Sequence, residues 1–61
     1  MSAGGSNRLL SPEELAEYLS VSKRSLLGCY REWGIPVHRV GRHLRFRVRD
    51  VEYWLEQHRV E

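Results

Sequence analysis

Apolar positions along the chain form three runs with helical spacing, and a stretch of strand-like alternation lies between the second and third. Leu10-Ser11-Pro12-Glu13-Glu14-Leu15 opens the first run and fits a helix start, with Ser11 as cap, Pro12 in the first turn, Glu14 reaching back and Leu10 stapled to Leu15. Leu15, Ala16 and Leu19 then share one helical face while Glu13, Glu14 and Glu17 fall elsewhere, which predicts an amphipathic helix ending near Leu19. After Ser20 and Val21 a second cap candidate stands at Ser22, and Leu26, Cys29, Tyr30 and Trp33 follow at spacings of three and four. This is a second helix, ended by Gly34. A link of about three residues between two helices is the connection of a helix-turn-helix, with Val21 filling the angle.

Ile35-Pro36 closes that unit. Val37 to Val40 and Leu44 to Arg47 read as two short strands around a three-residue link, Gly41-Arg42-His43. Leu44 and Phe46 alternate with Arg45 and Arg47, so one face of the second strand packs inward and the other carries guanidinium groups. A two-stranded ribbon is not stable alone and must dock on the helices. From Arg49 to His58, Val51, Trp54 and Leu55 fall on one face and Glu52 and Glu56 on another, a third helix that covers the core. The predicted fold is α+β, mostly α: helix, turn, helix, two-stranded β-hairpin wing, helix, a minimal winged helix-turn-helix. Residues 1–7 hold nothing that would anchor them, so they read as a flexible N-terminal tail before one domain over residues 8–61.

Length narrows the range of functions. A chain of 61 residues builds one small core, and its lone cysteine, Cys29, allows neither an internal disulfide nor a cysteine-rich zinc cluster. His38, His43 and His58 lack the spacing of a metal site, and Cys29 falls on the helical face expected to be buried, so neither metal, cofactor nor catalysis is expected. No transmembrane stretch and no signal peptide is legible, which makes a cytoplasmic protein without membrane contact the default.

Charge gives the functional direction. Lys23, Arg24, Arg31, Arg39, Arg42, Arg45, Arg47 and Arg49 face one acid, Glu32, within a span of net +7, while the rest of the chain sums to −5. Segregation of this kind points to one face that meets a polyanion. Nine of the ten cations are arginine, whose flat donor fork suits phosphates and guanine edges. In a helix-turn-helix the second helix is the recognition element, which makes its first turn, Ser22, Lys23, Arg24 and Ser25, the candidate contact with double-stranded DNA. Cations are disfavoured at a helix start by the macrodipole, so Lys23 and Arg24 need another reason to be there. Arg31 lies further along the same helix, and Arg42 and His43 form the expected wing tip, aimed at a minor groove. Arg39, Arg45 and Arg47 are phosphate ligands or strand-edge charges in equal measure. Trp33, Phe46 and Trp54 are in phase with other apolar residues and are expected in the core.

Leu9-Leu10-Ser11-Pro12-Glu13-Glu14-Leu15-Ala16-Glu17-Tyr18-Leu19, Val21-Ser22-Lys23-Arg24-Ser25-Leu26, Ile35-Pro36, Arg39-Val40-Gly41-Arg42 with Arg45-Phe46, and Asp50-Val51 with Trp54-Leu55 together resemble the excisionase-type helix-turn-helix family. The resemblance covers about residues 9–57 and implies a winged-helix DNA binder related in fold to the MerR-type regulators. It implies an architectural role in a bacterial cell or phage-infected bacterium. Excisionases, or recombination directionality factors, bind neighbouring sites on attachment DNA and help an integrase excise. Ser22, Lys23, Arg24 and Ser25 match the start of the family's recognition helix, and Gly41, Arg42 and His43 its wing. Three departures stand out: Trp33-Gly34 in the turn after the second helix, Gly28 where a larger residue is usual, and Arg47 or Val48 where a serine or threonine cap is common. Gly28 allows close approach to DNA, allows close approach to the first helix, or is tolerated at roughly 1 kcal/mol relative to alanine. The implied partners are an integrase and neighbouring copies on DNA; no added dimerisation helix is legible, so a monomer is expected in solution. The rival readings are a small MerR-like transcriptional regulator and a protein-interaction module whose basic face takes an acidic partner.

Overall fold

The computed structural model describes residues 8–60, and the expected tail over residues 1–7 lies outside them. The elements run β1 (Leu9–Leu10), α1 (Pro12–Leu19), α2 (Lys23–Trp33), β2 (His38–Val40), β3 (His43–Arg47) and α3 (Val48–Gln57). This is a small α+β winged helix-turn-helix, as the pattern predicts, with a three-stranded antiparallel sheet of order β1-β3-β2 in place of a two-stranded ribbon. β1 is the addition. It pairs Leu9 with Arg47 and Leu10 with Phe46, giving β3 a hydrogen-bonded neighbour on each side.

The start of α1 is the predicted capping box: the Ser11 hydroxyl accepts from the Glu14 N–H at 3.1 Å, and the Ser11 N–H donates to the Glu14 carboxylate at 2.9 Å. Both helices of the helix-turn-helix end alike. Ser20 (φ 61°) and Gly34 (φ 80°) take the left-handed conformation, and the following N–H groups of Val21 and Ile35 donate back to Ala16 and Tyr30. Each reversal carries an apolar residue into the body, Val21 half-buried and Ile35 buried, as this form of helix end requires. Gly34 takes that conformation without steric cost, and Trp33-Gly34 is therefore an ordinary helix stop.

Leu10, Leu15, Ala16, Leu26, Tyr30, Ile35, Phe46 and Val51 form the buried core. Phe46 and Tyr30 meet edge to face, with ring centroids 5.9 Å apart. Trp33 and Trp54 are only half-buried against this cluster rather than inside it, and Cys29 is likewise half-buried. Leu55, expected on the packed face, is exposed. Trp54 instead joins two helices through its indole N–H, which donates to the Trp33 carbonyl at 2.7 Å, satisfying an acceptor left over at the end of α2 and tying α3 to it. At the start of α3, Arg47 provides no side-chain cap; the carbonyl of Arg8, just before β1, accepts the Val48 N–H at 2.9 Å. The carbonyl just before β1 thus satisfies one of the free N–H groups at the start of α3, though not the one that a serine or threonine cap would take.

Phe46→Ala is expected to cost about 3–5 kcal/mol by emptying the centre of the core, comparable with the whole stability of a domain this size, whereas Trp54→Ala costs less. Thermal melts of the two variants against the parent check the order, and a Phe46→Ala protein that melts near the parent would refute it.

The Glu13 and Glu14 carboxyls are both held below their ordinary value of 4.5, Glu13 chiefly by the hydrogen bond from Lys23 and Glu14 chiefly by the N–H of Ser11. Lowered folded-state values mean that their stabilising effect is present above pH 4.5 and is lost as the pH falls through the folded values. The urea midpoint should fall on acidification through that range, and Glu14→Gln should flatten the fall; an unchanged slope in the variant would count against the capping box as its source.

Candidate nucleic-acid interface

The first turn of α2 is exposed, but its four residues are not equivalent. Ser22 caps the helix, accepting from the Ser25 N–H at 3.0 Å, and the two hydroxyls lie 2.9 Å apart, so both serines are engaged with each other. The Lys23 ammonium pairs with the Glu13 carboxylate of α1 at 2.7 Å. Arg24 is exposed and joins no ion pair among the described residues. Arg24, Gly28 and Arg31 follow at i, i+4 and i+7, one helical stripe turned away from buried Leu26 and Tyr30. Arg31 also lies 5.9 Å from the Tyr30 ring centroid. A Cβ at Gly28 would meet no atom within 4 Å, so close packing of α2 on α1 is not the reason for the glycine.

The wing is tighter than the sequence implies. Val40 pairs with His43, so the link is Gly41-Arg42 alone and His43 belongs to β3. The physical reason is Gly41, which has φ 63° while Arg42 keeps a negative φ, the φ pattern of a two-residue turn with glycine first. Arg42 is therefore the one side chain at the tip, and His43 lies on a strand. Residues directly opposite in a ladder share a face. His38 and Arg45, Val40 and His43, and Leu9 and Arg47 occupy the face opposite Phe46, whereas Arg39 pairs with Leu44 and lies on the other side. The three strand arginines are thus divided: Arg45 and Arg47 are half-buried on one face, and Arg39 is exposed on the other. Arg45 also turns one guanidinium N–H onto the Leu44 carbonyl at 2.7 Å.

Ion pairing divides the cations by position. Arg8 pairs with Glu14, Lys23 with Glu13 and Arg59 with Glu56, while the seven arginines from Arg24 to Arg49 have no carboxylate partner among the described residues. Arg49 is exposed but lines a shallow groove on α3 with Glu52 and Glu56, a surface of mixed charge. A further contact that the sequence pattern does not reveal joins His38 of β2 to Asp50 of α3, Nε2 to Oδ2, at 3.1 Å.

An open groove of about 530 Å³ lies between the turn after α1, the end of α2 and α3; it is lined mainly by Leu19, Val21, Trp33, Trp54 and Leu55 and shares no residue with the basic set. Among the described residues no three His, Cys, Asp or Glu side chains come together as a metal site, and no helix is long and apolar enough to cross a membrane.

Compared with curated proteins and with solved structures, the chain finds no significant match. The family model for helix-turn-helix domains matches residues 9–59, a span that takes in every element of the fold. With the helix-turn-helix and wing in place, the chain belongs to the helix-turn-helix domain family, which covers excisionase-like and MerR-like DNA-binding proteins.

Proposed function

We propose that this protein is a sequence-specific, double-stranded-DNA-binding architectural protein of the excisionase kind, which binds attachment-site DNA and directs an integrase toward excision. It acts as a binding protein and not as a catalyst. The observation that carries the reading is the set of exposed arginines without carboxylate partners, Arg24 and Arg31 on α2 and Arg39 and Arg42 on the wing, beside cations elsewhere that are neutralised internally. Free guanidinium groups on a recognition helix and a hairpin tip match the two kinds of DNA surface, base edges in the major groove and the negative potential of a narrow minor groove.

In this reading α2 enters the major groove with Arg24 at base edges. Arg31 and Arg39 contact phosphates, and Arg42 crosses to the adjacent minor groove. Ser22 shapes the helix start, and Ser25 offers its own hydroxyl hydrogen to the DNA backbone. Lys23 contributes after exchanging Glu13 for a phosphate, an exchange that costs little because an exposed pair is worth about 0–1 kcal/mol. His43, Arg45 and Arg47 face the duplex less directly, as secondary backbone contacts. The protein is a monomer in solution that binds neighbouring sites, and the domain spans residues 8–61. A small transcriptional regulator with the same domain is the alternative role. An excision assay with a candidate integrase from the same genome separates the two: stimulation of excision supports the proposal, and promoter binding without any effect on excision assigns the regulator.

About five phosphate contacts imply that log affinity falls against log salt with a slope of roughly −4 to −5. An affinity indifferent to salt in a titration series would remove DNA as the partner. Arg24→Ala should lose about 1–3 kcal/mol on the specific site and less on random DNA; equal losses would reduce Arg24 to a phosphate contact. Arg42→Ala should cost about 1–2 kcal/mol on a duplex with an A·T-rich flank and less on a G·C-rich one, with circular dichroism unchanged. Equal losses on the two duplexes would make the tip a phosphate contact, and no loss would remove the wing from the complex.

A further inference from the structure

The wing's outer strand has almost nothing to hold it. All three residues of β2 are exposed, its strand pairing is to β3 alone, and the nearest apolar anchor, Val37, is half-buried just before the strand begins. β3 by contrast is fixed through fully buried Phe46. A two-stranded ribbon is marginal by itself, so one edge of the wing is rooted in the core, while the other is held, beyond its pairing to β3, by Val37 just before the strand and at one polar point. That point is His38, whose Nε2 lies 3.1 Å from Oδ2 of Asp50. Asp50 sits in the first turn of α3 beside Val51, which is fully buried, so the carboxylate is held on a fixed part of the body.

Asp50 needs a reason to be where it is. It directly follows the basic stretch from Arg39 to Arg49, and a carboxylate close to a DNA-binding surface opposes the approach of phosphate. Support of the helix dipole accounts for an acid in a first turn, but not for its contact with the wing.

We propose that Asp50 and His38 are positioning residues: their contact staples β2 to α3 and sets the angle at which Arg42 meets the minor groove. The inference rests on the DNA-binding reading above. Its leverage is geometric. Arg42 is four residues beyond His38, about 13 Å along an extended strand, so a tilt of about 10° at the staple moves the tip by about 2 Å, comparable with the difference between a direct contact and one separated by water.

The test is a double-mutant cycle between positions 50 and 42 on the A·T-flanked duplex, with amide hydrogen exchange of β2 measured on the free protein. In the parent, Arg42→Ala should weaken binding about tenfold; in Asp50→Ala the same change should weaken it no more than about twofold, because the tip is already misplaced. Asp50→Asn, which keeps an oxygen acceptor for His38, should restore most of the Arg42 effect. Arg24→Ala should lose the same factor with or without Asp50, which separates a wing effect from general loosening. Exchange of the β2 amides should be faster in Asp50→Ala than in the parent. Unchanged exchange overturns the staple, and faster exchange with an additive cycle overturns its role in binding. A parent protein that does not bind DNA overturns the functional reading and the binding role together, with the exchange measurement still deciding the staple.

Discussion

The alternation along β3 sets Phe46 and Leu44 toward the helices and Arg45 and Arg47 toward the opposite face, and the other elements are arranged around that one strand. β1 and β2 pair with its two edges, α1 and α3 pack against it, and its last residue opens α3. A one-residue slip in its register would put guanidinium groups into the core and Phe46 into water. The buried Phe46 side chain therefore fixes where the wing leaves the body as well as how stable the body is. In a domain this small, one fully buried aromatic residue is a large fraction of the folding free energy, so the same residue governs both stability and the placement of the interface.

Charge is organised on a second principle, that of pairing. Cations outside the arginine-rich span meet carboxylates of their own chain, at Arg8 and Arg59, and those inside it do not. Lys23 stands at the border, on α2 yet paired with Glu13. The result is a molecule of modest net charge whose unpaired cations lie mostly on α2 and the wing, with Glu32 the one acid among them, a distribution that favours a polyanion on that side.

Features carried by adjacent residues are legible in the sequence. Both helix starts are, because a serine cap and its neighbours lie within one turn, and the two-faced β3 is, because alternation is a local signal. Pairings across the fold are not. β1 is two residues long, too short to show any period, and its partner lies at the other end of the domain. The wing link is shorter than Gly41-Arg42-His43 implies because composition marks a turn without fixing which residue first rejoins the ladder. Lys23 with Glu13, His38 with Asp50 and Trp54 with the Trp33 carbonyl each join different elements, at separations that no helical or strand period predicts. Of the candidate contacts, Arg24, Arg31 and Arg42 lie on exposed surface as expected, whereas the hydroxyls of Ser22 and Ser25 are largely occupied with closing their own helix.

Gly28 interrupts the exposed stripe of α2 between Arg24 and Arg31, and a Cβ added there would meet no atom of another element within 4 Å. Substitutions that alter an interface commonly cost stability, because the same side chains also pack; here almost any replacement would raise helix propensity, by roughly 1 kcal/mol for alanine. On the DNA-binding reading proposed above, the candidate recognition surface thus contains a position at which selection can add a small side chain without compensating changes elsewhere. If that surface reads DNA, descendants of this sequence can diverge in the sites they prefer by one mutational step that leaves the fold at least as secure as before.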